Sequence, residues 1–146
     1  MQPPTPEPSP RESGVPITAG QETRTVYARL GGDEPFWNLA RAFYARVDKD
    51  PDPSFRGMFP SDLTEAIRNQ AEFLIQFFGG PTTYSDRKGH PRLRQRHMGF
   101  AIDQAARDRW LAHMLASLGD VDIPEVERRE MTAYFARASD FLINRG

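Results

Sequence analysis

Between Asp33 and the barrier Asp50-Pro51-Asp52-Pro53, the apolar residues fall at Phe36, Leu39, Ala40, Phe43, Tyr44 and Val47. That i, i+3, i+4, i+7 spacing lines one face of an α-helix, so a stripe faces inward and Tyr44 sits on it. Asp33 caps the helix with Pro35 in its first turn, and the prolines at 51 and 53 forbid its continuation. The same period returns downstream. Leu63, Ala66 or Ile67, Gln70, Leu74, Phe77 and Phe78 follow a Ser61 cap and stop at Gly79-Gly80. Ala106, Trp110, Met114 and Leu118 follow an Asp103 cap and stop at Gly119-Asp120. Met131, Phe135, Ala138 and Leu142 follow Pro124, and a short helix from Thr23 to Leu30 is closed by Gly31-Gly32. Between them, Ser54 to Pro60 reads as irregular but carries Phe55, Met58 and Phe59, which must cover something. Pro81 to Gly89 reads as a polar, turn-rich loop. The pattern predicts an all-α domain of five or six helices.

A chain of 146 residues makes one such domain and no second. Residues 1 to 20 hold six of the 13 prolines and almost nothing large and apolar. They cannot repay the entropy of ordering, which predicts a disordered tail over 1–20 and a globular domain over 21–146. A net charge of -1 gives no electrostatic reason to expect nucleic acid or an anionic membrane as partner. The absence of cysteine excludes disulfides, thiolate catalysis and iron-sulfur ligation. No basic segment followed by an apolar run opens the chain, and no run of about eighteen apolar residues occurs. The expected location is cytoplasmic.

Chemistry concentrates in Gly89-His90-Pro91-Arg92-Leu93-Arg94-Gln95-Arg96-His97-Met98-Gly99. Pro91 can open a helix and Gly99 close it, leaving His97 on a short, stiff element. Arg92 and Arg96, four apart, share the face next to it, where guanidinium groups suit the carboxylates of a planar anionic cofactor. From the residues alone, His97 reads first as an ordinary helical histidine, Tyr44 as a core tyrosine bonded to a carbonyl, Trp110 as a core tryptophan, and Gln70 as a half-exposed flank residue. His90, His97 and His113 have no usual zinc spacing. No phosphate-binding glycine loop, Gly-x-Ser-x-Gly or metalloprotease helix motif occurs.

Six pieces taken in order carry a more specific signal: Arg29-Leu30-Gly31-Gly32; Phe43-Tyr44; Phe59-Pro60; Gly79-Gly80-Pro81 with Thr83-Tyr84-Ser85; Gly89 to Arg94 with Arg96-His97; and Arg107-Asp108-Arg109-Trp110-Leu111. Together, from about Val26 to about Asn144, they resemble the truncated haemoglobins, in particular group II of that family.

The resemblance implies a two-over-two globin sandwich holding haem b. It implies that His97 is the proximal iron ligand, that Tyr44 and Trp110 line the distal pocket, that Phe59 packs on the haem, and that Tyr84 and Arg96 bind the cofactor. Ala66 stands in place of the distal histidine of ordinary globins. Gln70 aligns with a ligand-flanking position at which group II commonly carries an apolar residue.

The implied function is reversible binding of oxygen, carbon monoxide and nitric oxide at a five-coordinate iron, with oxygen transport among its uses. The alternative is an enzyme, either a nitric oxide dioxygenase or peroxidase-like, working with a separate reductase. A third reading is a small helical interaction module whose aromatic stripes are only core.

Overall fold

The computed structural model describes residues 24–92, 96–97 and 102–144, and the tail expected over residues 1–20 lies outside them. Among the described residues the elements are α1 (Val26–Leu30), α2 (Glu34–Asp48), α3 (Pro53–Arg56), α4 (Thr64–Phe77), α5 (Thr83–Lys88), α6 (Gln104–Asp120) and α7 (Glu125–Phe141). Helix α2 packs on α4 and α6, and α6 packs on α7. The pair α2–α4 therefore lies over the pair α6–α7, the two-over-two sandwich expected.

The α2 stripe is buried as its spacing predicts: Phe36, Leu39, Ala40, Phe43 and Val47 have no exposed area, and Tyr44 has 8%. Met114 and Leu118 of α6 and Met131 and Phe135 of α7 close the core from the other layer. Removing a ring such as Phe43 from this interior costs about 3 to 5 kcal/mol by lost transfer and cavity formation.

The edges of elements differ from the sequence reading. Thr25, not Thr23, begins α1: its backbone is extended and its hydroxyl accepts from the Ala28 N–H at 3.1 Å. The chain then docks on the end of α4, where Tyr27 N–H donates to Phe78 O at 2.9 Å. Gly79 and Gly80 permit this approach, since a Cβ on the first would strike Thr25 and on the second Ile75 and Tyr27. Helix α4 starts at Thr64 rather than just after Ser61, with Asp62 Oδ1 accepting from the Thr64 N–H at 3.0 Å. Its inward face runs through Ala71, Leu74, Ile75 and Phe78, which leaves Phe77 half-exposed and stacked on Tyr134 of α7, ring centroids 4.1 Å apart.

Two segments expected as irregular are helical. Pro53–Arg56 forms one turn, capped by Asp52 Oδ1 accepting from the Ser54 N–H at 2.9 Å. Within the expected Pro81 to Gly89 loop stands α5, too short to hold itself and fixed by α4. Ser85 N–H donates to Gln76 Oε1 at 2.9 Å, Gln76 Nε2 donates to Ser85 Oγ at 2.7 Å, and Arg87 Nη2 donates to the buried Glu72 at 2.7 Å. Those polar partners lie nine to fifteen residues away, so no local spacing announces them.

Candidate functional site

Tyr44 projects from the middle of α2 into an aromatic group drawn from three other segments. Its ring meets Phe43 edge-on at 4.9 Å and Phe59 at 5.8 Å, while Phe43 in turn lies 5.3 Å from Trp110 of α6. Burial alone pushes the Tyr44 hydroxyl up to about 12, and no hydrogen bond to a described residue contributes. The phenol therefore stays neutral, and its hydroxyl donates to no described residue. Trp110 is half-buried, its ring also contacting Phe135 at 6.0 Å.

Gln70 lies on α4, one turn beyond Ala66, which packs against the core cluster containing Tyr44. The glutamine is half-buried, and its Oε1 is enclosed with no hydrogen-bond partner among the described residues. An enclosed polar atom left unpaired costs about 1–3 kcal/mol, so such a group is informative about what it faces. Since a terminal amide offers either an acceptor or two donors, Gln70 can serve a ligand of either kind.

On the other side, Arg96 and His97 are helical, and the Arg96 N–H donates to Arg92 O at 2.9 Å. The helix does not open at Pro91 as expected: Arg92 has φ 46°, a left-handed conformation outside the helix. Arg92 and Arg96 consequently do not share a helical face. Arg96 instead ties the preceding turn together, donating to Pro91 O at 2.7 Å and to Lys88 O at 2.8 Å. Its guanidinium carbon lies 6.0 Å from the centre of the Tyr84 ring, which is buried and also meets Phe73 of α4 at 5.6 Å.

The predicted residues thus fall into two groups. Tyr44, Phe59 and Trp110 form one around Phe43; Tyr84 and Arg96 touch in the other, with His97 next in sequence. Phe73 joins α4 to the second group through Tyr84, and Gln70 stands three residues before it on the same helix.

Sequence reasoning missed Asn144, which follows α7. Its Nδ2 donates to His97 O at 3.3 Å, its Oδ1 accepts from the Ile102 N–H at 2.9 Å, and its own N–H donates to Ile102 O at 2.8 Å. It clasps both ends of the stretch that contains the candidate ligand, and an asparagine near a terminus carries no pattern that could have flagged this.

Asp50 was also missed, being legible only as part of a helix-stopping motif. Its side chain has no exposed area, and it accepts two hydrogen bonds from Arg109 Nη1 at 2.8 and 3.0 Å and one from the Asp52 N–H at 2.8 Å. His113 Nε2 lies 2.6 Å from its other oxygen. Burial would raise this carboxyl, but His113, the Asp52 amide and Arg109 outweigh it and hold the group at about 2. His113 is engaged here, and among the described residues no cluster of His, Cys, Asp and Glu could hold a metal ion. No helix of the described residues is long and apolar enough to cross a membrane.

Set against known proteins, residues 25–144 match the model of the family described as bacterial-like globin. The chain is 42% identical over 114 residues to two-on-two hemoglobin-3 of Arabidopsis thaliana, covering 77% of this chain and 65% of the plant protein's length. It is 40% identical over 111 residues to group 2 truncated hemoglobin YjbI of Bacillus subtilis, covering 76% of this chain and 81% of that one. The crystal structure of the hemoglobin of Chloroflexus aurantiacus superimposes with a TM-score of 0.79 at 47% identity, over 83% of this chain and 98% of that one. Globins carry haem and bind diatomic gases such as oxygen through it. With a family model spanning nearly all of the described residues and relatives of this identity, the chain belongs to the bacterial-like globins, among the group II truncated haemoglobins.

Proposed function

We propose that this chain holds haem b between Tyr44, Trp110 and Gln70 on one side and His97 on the other, and binds oxygen and related diatomic ligands reversibly. The observations that carry the reading are a largely buried, neutral Tyr44 whose hydroxyl donates to no described residue, and an enclosed Gln70 Oε1 that has no partner among the described residues. Two neighbouring helices offering unspent polar groups amid aromatic rings suit a small polar ligand on an apolar, planar cofactor. Haem supplies an iron with an open coordination position for that ligand.

Each residue then has a definable task. His97 would hold the iron of the cofactor through a ring nitrogen, its backbone carbonyl already bonded by Asn144 Nδ2. Tyr44, kept neutral by its burial, donates its hydroxyl proton in a hydrogen bond to the ligand without giving it up. Trp110 donates through its indole N–H and, with Phe43 and Phe59, excludes water from that side. Tyr84 and Arg96 would bind the carboxylate edge of the cofactor, Arg96 with its guanidinium already oriented by Pro91 O and Lys88 O.

The test is direct. Purified protein titrated with haemin should take up one equivalent and show a Soret band, and its ferrous form should bind oxygen reversibly. Colourless protein that takes up no haemin overturns the reading. Nitric oxide mixed with the oxygenated protein should yield a single turnover; sustained nitrate production with an added reductase system would make the chain a nitric oxide dioxygenase instead.

A further inference from the structure

We infer that Asp50, Arg109 and His113 form a positioning cluster that fixes Tyr44 and Trp110 relative to each other, and so sets how strongly the two donate to a bound diatomic ligand. This rests on the distal roles proposed above for those two residues.

The cluster sits where α2 and α6 are joined by polar bonds. Asp50 stands six residues beyond Tyr44, just past the end of α2. Arg109 is the immediate neighbour of Trp110, and His113 lies three residues beyond it, both on α6. Arg109 and His113, four apart, share one face of α6 and hold the same carboxylate, whose side chain has no exposed area: Arg109 Nη1 donates to both oxygens and His113 Nε2 meets Oδ2. The Asp52 N–H holds that carboxylate from its own strand of chain. Because one residue along an α-helix is a rotation of about 100°, fixing Arg109 and His113 fixes the rotation of α6 and with it the direction in which Trp110 points.

Aromatic contacts close the same loop from the other side. Tyr44 meets Phe59 at 5.8 Å, Phe59 meets Phe55 at 5.3 Å, and Phe55 meets the His113 ring at 5.7 Å. Tyr44 also reaches Trp110 through Phe43. Among the described residues the two distal donors are thus joined through Phe43 directly and through the Phe59, Phe55 and His113 rings, the second path ending at the Asp50 cluster.

Stability alone is a poor account of such a cluster. Replacing buried ion pairs by apolar residues is often neutral, because desolvation offsets most of the attraction, whereas the charge-assisted bonds from Arg109 Nη1 and the contact with His113 Nε2 impose direction that an apolar contact cannot. The geometry of the cluster, rather than its energy, is what the distal side uses.

The experiment compares haem-loaded wild type with Asp50→Asn, which keeps the size and an acceptor but removes the charge. His113→Gln, which removes one bond and leaves the carboxylate paired with Arg109, provides the milder second variant. Oxygen dissociation is measured by stopped flow, and the iron–carbon stretching frequency of the carbon monoxide complex reports the donors around the ligand. Dissociation should quicken by about threefold to tenfold, within the range of coupling between residues in one network, and the stretching frequency should shift. In a Tyr44→Phe, Trp110→Phe background the same change at Asp50 should leave dissociation unaltered. A lowered melting temperature with unchanged dissociation and an unchanged stretching frequency in both variants overturns the positioning role. A wild type that takes up no haemin overturns the haem reading beneath it, which is a different result.

Discussion

The two sides of the proposed haem site are built on opposite plans. The Tyr44 side is a wall of long helices whose rings touch one another, with Phe43 fully buried at its centre and a charged cluster at its end. On the His97 side the described residues are held by discrete hydrogen bonds: Arg96 to Pro91 O and Lys88 O, and Asn144 to His97 O and Ile102. Dense packing fixes direction to a fraction of an ångström, which is what a hydrogen bond to a ligand needs. A segment tied at its two ends retains freedom to settle its histidine on the iron once the cofactor enters. The difference teaches that ligand kinetics should be sensitive to the wall and cofactor retention to the clasp, and each can be broken separately.

The largest effect is expected at the clasped segment itself. His97→Ala should abolish stable haem retention, because only burial and edge contacts then hold the cofactor, and added imidazole should restore part of the Soret band. Full haem occupancy with an unchanged five-coordinate ferrous spectrum would show that another residue is the ligand.

Next comes the wall. Trp110→Phe should speed oxygen dissociation by roughly tenfold or more, since a hydrogen bond to a charged acceptor is worth about 1.5–3 kcal/mol. Gln70→Leu should cost less, below about 1 kcal/mol, as an ordinary hydrogen bond does. Flash photolysis or stopped flow ranks the two, and a reversed order would make the enclosed Gln70 oxygen, not the indole, the guide to the ligand.

Asn144→Ala should separate the sides most cleanly. It removes the side-chain bonds to His97 O and from the Ile102 N–H, so haemin transfer to apomyoglobin should quicken severalfold, on the scale of about 1 kcal/mol per lost bond, while oxygen dissociation stays put. Equal changes in both would mean that the sides are not independent. The smallest effect belongs to deletion of residues 1 to 20: a proline-rich polar segment buries little, so haem content and melting temperature should be nearly unaltered.

Much of this was legible in the chain because helices announce themselves. The α2 stripe reads directly from Phe36 to Val47, every member buried as its spacing says, and the Asp103 cap forms with its oxygen accepting from the Ala106 N–H at 2.9 Å. The family was legible only through ordered motifs, since His97 by itself is one histidine on a basic run. What stayed hidden was long-range polar pairing. Asp50 finds partners 59 and 63 residues away, and Asn144 bonds a carbonyl 47 residues back. Period and propensity describe neighbours in sequence, so α5, whose helicity depends on Gln76 and Glu72, reads as a loop. Arg92 shows the same limit, since its left-handed backbone moves the start of the His97 helix past Pro91.

The central claim is that the buried, unspent hydroxyl of Tyr44 donates to the ligand, and oxygen dissociation from Tyr44→Phe tests it most directly. Phe59 carries no hydroxyl that could substitute. Loss of the donor should speed dissociation by roughly ten- to a hundredfold, the equivalent of about 1.5–3 kcal/mol, with haem content unchanged. A rate equal to that of the wild type would contradict the account.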